Sequence, residues 1–227
     1  MVRETNPNLD IYRQLFDSIL EQRLAPNTKL NEQELAEIFG VSRTLIRQAL
    51  QRLSAEQVVV IEKNRGAFVA APDPQLAQQI LQARELIELA VVELACGHLG
   101  DEHYANLQDM IELEQEALDG GDTGAALRRS GEFHVRLAEA AGNQPYVNIL
   151  RGLISQTSLL IAMYGQGGNN CARDEHRRLL AAVKAGDKVV SNNLMRHHLG
   201  HIAASCDFSR SKTGSDLKGV FGVSKAS

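Results

Sequence analysis

Seven histidines are the residues of this chain best suited to bind a metal ion. A neutral imidazole is a good ligand for Zn²⁺ and Ni²⁺, and ligands on different helices of a bundle can converge in its core. Three of the seven fall in one helical segment, where His197 and His201 have the i,i+4 spacing of two ligands on one face. Local spacing does not decide which of these three faces inward. The seven are His98, His103, His134, His176, His197, His198 and His201.

Arginines form a second group with a clear chemical use. Residues 43–65 contain five basic and two acidic side chains, a local charge of +3, whereas the formal net charge of the chain is −4. A short basic segment in an acidic protein favours a nucleic-acid contact confined to that segment. The alternative is that these arginines form an ordinary solvated helix face.

The apolar periodicity and the capping residues predict the helices and strands that must position these arginines. An apolar stripe predicts a helix over 9–23, followed by a break and a short extended piece. A second helix is predicted over 31–39, between Asn31 as N-cap and Gly40 as C-cap, and Ser42 caps a third. The β-branched stretch "VVVIEKNRGAFVAA" predicts a two-stranded hairpin with its turn at "EKNRG". This order is typical of a winged helix-turn-helix.

In such a domain, assigned here to residues 1–70, the second helix of the motif enters the major groove of double-stranded DNA. Arg43 and Arg47 are four residues apart on one face, and arginine pairs naturally with guanine O6 and N7. Ser42 and Thr44 can bond phosphates at the helix start. The hairpin tip can reach the adjacent groove or backbone. The predicted DNA contacts are therefore Ser42, Arg43, Thr44, Arg47, Arg65 and Gly66.

The rest of the chain is predicted to be helical. Residues 71–75, "APDPQ", predict a stiff linker, and six helical segments over 76–205 predict an all-α bundle. Residues 206–227 lack a strong period and predict a flexible tail. No apolar run approaches the length of a membrane span, and the first residues lack the apolar core of a signal peptide, so we expect a cytoplasmic protein with no membrane partner.

The stretch "KLNEQELAEIFGVSRTLIRQALQRLSAEQVVVIEKNRGAFV" closely resembles the DNA-binding domain of the GntR family of bacterial transcription regulators. The resemblance rests on the "VSRT..R.AL.RL" core and the "RGAFV" wing. It implies that Arg43, Thr44, Arg47 and Gly66 contact operator DNA, and often Gln33 as well. The family usually has proline at Leu45, where leucine favours the helix and should remove no contact.

The helical part resembles the FCD effector domain of the FadR branch of that family. The similar segments are "RELIELAVVELA", "FHVRLAEAAGN", "DEHRRLLAAVKAGD" and "LMRHHL", and six helices suggest the shorter, VanR-like subgroup. The resemblance implies a homodimer that binds a short inverted repeat. It also implies a small effector, commonly a carboxylate, that changes the affinity for DNA.

Many members of that branch bind a divalent metal through one aspartate and three histidines. The resemblance implies His134, His176 and His198 as the ligands, and it makes His197 and His201 surface residues. Ser130 stands where the family has its aspartate, and Glu132 points too far around the helix to replace it.

We therefore predict a three-histidine site for a divalent transition metal, Zn²⁺ or Ni²⁺. A water or the effector's carboxylate would take the open position near Ser130. The alternative is a polar pocket that binds an anion without metal. Arg84 is a candidate partner for the carboxylate, and its alternative role is an i,i+4 salt bridge to Glu88.

The sequence thus predicts a non-enzymatic, ligand-responsive transcription regulator, acting as a repressor. One alternative is a constitutive DNA-binding regulator whose effector site has decayed, which the missing aspartate favours. The other is a metal-dependent enzyme built on the three histidines, but no general base is evident beside them, and the DNA-binding domain would then have no purpose.

Overall fold

The structure, a computed structural model, describes residues 7–165, 172–207 and 216–221. The described residues divide into two compact units. One contains those up to Ala71 together with 216–221, and the other contains those from Pro72 to Asp207. As predicted, the first is a winged helix-turn-helix and the second is an all-helical bundle.

The first unit packs three helices against a small sheet. Its apolar stripes meet in one core, where Leu15, Leu35 and Leu53 are completely removed from solvent. This burial of every third or fourth residue is what the helical period predicts. Its elements are α1 (Pro7–Leu20), β1 (Lys29–Leu30), α2 (Glu32–Phe39), α3 (Arg43–Ala55), β2 (Val59–Glu62) and β3 (Gly66–Val69).

Side-chain and glycine caps set the turn between α2 and α3. Asn31 accepts hydrogen bonds from the backbone amides of Gln33 and Glu34, and Ser42 accepts one from that of Leu45. Gly40 ends α2 with φ of +64°, a left-handed conformation that favours glycine. All three predicted caps are confirmed, and together they fix where the third helix begins.

The wing is a sheet of three antiparallel strands in the order β1-β3-β2. The predicted hairpin pairs Ile61 with Ala67. The short extended piece after α1 adds the third strand, since Leu30 also pairs with Ala67. Gly66, at the start of β3, has φ of +101°, which the tight turn requires.

Residues 216–221, within the stretch predicted to be a flexible tail, pack against the first unit. A short helix, Leu217–Val220, buries Leu217. The ring of Phe221 meets that of Phe39 edge to face at 5.0 Å, and Arg23 Nη1 donates to the carbonyl oxygen of Val220 at 3.3 Å. Residues 208–215 and 222–227 lie outside the described residues. The short helix Leu217–Val220 is α10.

The second unit contains six helices in its described residues. They are α4 (Pro74–Ala95), α5 (Asp101–Asp119), α6 (Thr123–Ala140), α7 (Gln144–Tyr164), α8 (Ala172–Ala185) and α9 (Lys188–Ala204). Helix α4 begins inside the predicted linker, because the side chain of Asp73 caps it and Pro74 fits the first helical position. It packs against α6, α7 and α9, around a core that includes Phe133 and Leu150.

A glycine allows α6 to lie close to α7. A Cβ added at Gly131 would lie 2.7 Å from Ile154 Cγ2, so a larger residue would push these helices apart. The close approach helps to position the segment of α6 that carries Ser130 and His134. Among the described residues, no helix has the length and apolar character needed to cross a membrane.

Candidate metal centre and nucleic-acid interface

Three histidines from three helices converge in the core of the second unit. His134 lies on α6, His176 on α8 and His198 on α9, and all are buried. Their Nε2 atoms point at one another: His134 Nε2 lies 3.2 Å from His198 Nε2 and 3.2 Å from His176 Nε2. These are the three residues that the sequence resemblance selects.

The other ring nitrogen of each histidine faces a carboxyl group on another helix. His134 Nδ1 lies 2.8 Å from an oxygen of Glu88 on α4. His176 Nδ1 lies 3.0 Å from Glu114 on α5. A carboxylate accepts a hydrogen bond from the Nδ1–H of an imidazole and so fixes both its tautomer and its orientation.

The third pair follows the same pattern and uses Glu175 on α8. Its Oε2 lies 2.8 Å from Nδ1 of His198. Burial acts to raise the pKa of Glu175, but hydrogen bonds with His198 and His201 lower it overall. Glu175 therefore stays an anion at neutral pH and keeps its acceptor role.

Burial keeps two of these imidazoles neutral. It lowers the pKa of His134 to about 4, although the charge of Glu88 opposes the shift. Burial also lowers the pKa of His198 to about 3, against the opposing effect of Glu175. With the proton on Nδ1, each neutral ring presents a lone pair at Nε2, so the 3.2 Å contact between the two has no hydrogen to share. Such a contact is unfavourable unless a cation lies between the nitrogens.

Arg84 balances the charge on one side of the cluster. It is buried on α4, one turn before Glu88, and its Nε donates to Glu88 Oε1 at 2.9 Å. Burial acts to raise the pKa of Glu88, but His134 and Arg84 together lower it to about 2. Of the two roles predicted for Arg84, the structure displays the salt bridge to Glu88.

The donor set fits a divalent transition metal. The three imidazoles offer Nε2 donors from separate helices, all within 4.8 Å of one another. Two nitrogens bound to one tetrahedral Zn²⁺ at about 2.0–2.1 Å would lie about 3.3 Å apart, close to the spacing between these rings. The Glu88, Glu114 and Glu175 carboxyls provide the carboxylate–histidine pairing that metal sites use to orient their ligands.

An apolar wall completes the centre. The ring of Phe133 stacks on that of His176, with centroids 4.3 Å apart, and meets that of His134 edge to face. Phe133 is completely buried, so it limits access of water to the two rings on this side. Low polarity around a cation strengthens its interaction with charged ligands.

The residues predicted around the histidines take different positions. Ser130 is half-buried on α6, one turn before His134. Glu132 forms an ion pair with Arg136, in keeping with the prediction that it cannot replace the family's aspartate. His197 and His201 are exposed on α9.

Sequence reasoning missed the three carboxyl partners. For Glu88 there was a local signal, because its i,i+4 spacing from Arg84 predicted a salt bridge. That spacing gave no indication of its contact with His134. Glu175 directly precedes His176, yet it binds His198 on another helix. For Glu114, on α5, no local pattern pointed to a buried acid.

The predicted DNA-reading face is exposed on α3. Arg43 and Arg47 expose 61% and 53% of their side chains, so both are accessible to a nucleic acid. Glu32, the first residue of α2, binds Arg47 with both carboxylate oxygens, at 3.0 and 2.7 Å, and lies 3.6 Å from Arg43. Sequence reasoning missed Glu32, whose position directly after the N-cap was its only signal.

The other predicted DNA contacts are exposed as well. Gln33 donates from its side chain to Glu37 at 3.3 Å. At the wing tip, Arg65 forms an ion pair with Glu62, and its guanidinium lies 5.5 Å from the ring centroid of Phe68. The remaining exposed positions, at the start of α3 and on the wing, are Ser42, Thr44 and Gly66.

A winged helix-turn-helix joined to a helical bundle with a buried histidine cluster defines a class of two-domain DNA-binding regulators. Residues 7–69 match the domain described as "Bacterial regulatory proteins, gntR family", and 79–201 match the FCD domain. The chain therefore belongs to the GntR family, in the branch that carries an FCD domain. It is a DNA-binding transcription regulator.

Relatives support this assignment. The chain is 32% identical over 128 residues to the Nta operon transcriptional regulator of Aminobacter aminovorans, covering 56% of this chain and 60% of that protein. It is 24% identical over 218 residues to the Uxu operon transcriptional regulator of Escherichia coli, covering 86% and 85%. Among solved structures, E. coli McbR/YncC shares the fold, with a TM-score of 0.74, 22% identity and coverage of 88% and 96%.

Proposed function

We propose that this chain is a ligand-responsive repressor whose effector domain senses a small carboxylate at a metal centre formed by His134, His176 and His198. The observation that carries the proposal is the convergence of three Nε2 atoms in a buried core, each opposite an Nδ1 that faces a carboxyl group. This arrangement presents lone pairs to a common point, and a divalent cation satisfies them.

The histidines, the carboxyl groups and Ser130 would have different roles in this centre. The three imidazoles would hold the ion, and the Glu88, Glu114 and Glu175 carboxyls, each facing an Nδ1, would orient the rings. When bound, a divalent ion would supply positive charge that attracts an anionic effector in a site of low polarity. Ser130, one turn before His134, takes the position of the family's aspartate, where the carboxylate of that effector would bind in its place.

The response would reach DNA through a homodimer. Two copies of α3 would read the half-sites of a short inverted repeat, and their spacing would have to match that of the repeat. An effector that binds one arrangement of the dimer more tightly would shift the population toward it, which changes the affinity for the operator. Derepression by the carboxylate is the expected direction.

Metal content tests the centre. Protein treated with chelator and dialysed against Zn²⁺ or Ni²⁺ should retain one buried ion per chain, measured by elemental analysis. Every sample also carries His197→Ala and His201→Ala, so that these two exposed histidines of α9 cannot contribute bound metal. In this background His134→Gln should lose the ion, whereas His103→Ala, an exposed histidine on α5, should keep it.

Ser130→Asp distinguishes a working site from a decayed one. It restores a carboxylate one turn before His134 and should tighten metal binding by about tenfold or more while weakening carboxylate binding. Metal found only in the Ser130→Asp variant would show that the native chain has lost the site. Metal in neither would overturn the three-histidine centre and favour direct binding of an anion, or constitutive DNA binding.

A further inference from the structure

The exposed face of α9 carries a second histidine group that the buried centre does not use. His197 and His201 lie one turn apart, and their ring centroids are 4.0 Å apart. Their side chains are 58% and 47% exposed, whereas that of His198, between them in sequence, is 3% exposed. Helical geometry therefore places His198 in the core and leaves the pair on the surface.

A carboxylate from α8 faces this pair. Glu175 Oε1 lies 2.5 Å from His201 Nδ1 and 3.4 Å from His197 Nδ1. The same residue uses its other oxygen for His198. The Glu175 side chain is only 11% exposed, so its position is set by packing rather than by free rotation in solvent.

We propose that Glu175, His197 and His201 form a second, solvent-accessible site for a divalent transition metal ion, separate from the buried centre. Two imidazoles and one carboxylate are a donor set suited to Zn²⁺, Ni²⁺ and Cu²⁺, and the candidate ligand atoms lie within 4.8 Å of one another. Because the group lies at the surface, water would complete the coordination. The proposal does not depend on metal in the buried centre.

The position of Glu175 connects the two groups. One carboxylate oxygen faces the exposed pair, and the other holds His198, whose Nε2 belongs to the buried cluster. Metal bound at the surface would draw charge from the carboxylate and weaken its hydrogen bond to His198 Nδ1. By linkage, each site would then lower the affinity of the other.

Retention of the untagged, full-length protein on immobilised Ni²⁺ tests the surface site directly, because the buried histidines cannot touch the resin. Wild type should be retained, and the His197→Ala/His201→Ala variant should elute early. The matched control is His98→Ala/His103→Ala, which removes two exposed histidines that are not an i,i+4 pair. Early elution of the control alone, or equal retention of all three proteins, would overturn the proposal.

Calorimetric titration of chelator-treated protein with Ni²⁺ tests the stoichiometry and the carboxylate. Wild type should bind one equivalent more than the His197→Ala/His201→Ala variant. Glu175→Gln keeps both imidazoles and should weaken the surface site by about tenfold or more. Unchanged stoichiometry in the double variant would show that the surface site does not exist. Unchanged affinity in Glu175→Gln would show that the carboxylate is not one of its ligands.

Discussion

The predicted DNA-reading face and the histidine centre both pair carboxyl groups with nitrogen groups, the first at the surface and the second in the core. At the surface, Glu32 of α2, whose side chain is 28% exposed, binds Arg47 and approaches Arg43, both on α3. In the bundle, Glu88, Glu114 and Glu175 bind histidines that are almost completely buried. In both regions a carboxyl group on one helix holds nitrogen groups on another.

The two regions differ in the free energy needed to separate a carboxylate from its nitrogen partner. Water and salt screen an exposed ion pair, so its guanidinium can exchange a carboxylate for a phosphate or a base at little cost. A buried carboxylate has no water to replace its partner, so its partner's orientation is maintained. The exposed region is therefore suited to exchanging partners, and the buried region to keeping one geometry.

The largest effect is expected from removing a buried carboxylate. Glu88→Ala leaves Arg84 buried without its acceptor and His134 without its orienting partner, which should cost about 3–5 kcal/mol of unfolding free energy. Urea unfolding of the effector domain, followed by circular dichroism, measures it. Glu85→Ala is the control on the same helix: Glu85 is exposed and 3.6 Å from Arg196, so its loss should cost less than about 1 kcal/mol. Equal losses of unfolding free energy in the two variants would contradict the expected difference between buried and exposed carboxylates.

Acid should destabilise the metal-free effector domain next most strongly. The folded-state pKa values of His134 and His198 are about 4 and about 3, whereas an ordinary histidine has 6.5. The unfolded chain therefore binds more protons below pH 6.5, and stability falls as the pH drops from about 6.5 toward 4. Each imidazole contributes a slope of about 1.4 kcal/mol per pH unit. Unfolding at several pH values should show a shallower slope for His134→Gln and an unchanged slope for His103→Ala.

On the predicted DNA-reading face, Arg47→Ala should reduce affinity for the operator by about tenfold or more, because it removes a guanidinium that we predict to read a base. Fluorescence anisotropy with DNA from upstream of the protein's own gene measures this. Arg13→Ala removes an exposed arginine of α1, outside the helix-turn-helix, and controls for the loss of one charge. If both variants lost the same affinity, Arg47 would act through charge alone.

The smallest effect is expected for Glu32→Gln. Removing a carboxylate that competes for Arg43 and Arg47 should tighten DNA binding by a few-fold at low salt, and the gain should shrink at high salt. Anisotropy at two ionic strengths measures it. Weaker DNA binding at both ionic strengths would mean that Glu32 serves mainly to orient the arginines. The exposed carboxylate would then have the same role as the buried ones.

Much of the fold follows from local sequence signals. The helices and the wing were predictable because apolar periods and caps such as Asn31, Gly40 and Ser42 act over a few residues. The exposed arginines of α3 were predictable for the same reason. The short extended piece after α1 was predicted, but its pairing with β3 and the docking of 216–221 were not, because both depend on contacts with residues distant in the chain.

By itself, the sequence determined the order of elements, the exposed arginine face of α3 and, through its resemblance to the FCD domain, the three converging histidines. Only the tertiary structure decided which acids hold them: the partners Glu88 and His134 are 46 residues apart, and Glu114 and His176 are 62 apart. Helix packing alone brings such residues together, since a period of 3.6 residues specifies which face of a helix is buried but not what it meets.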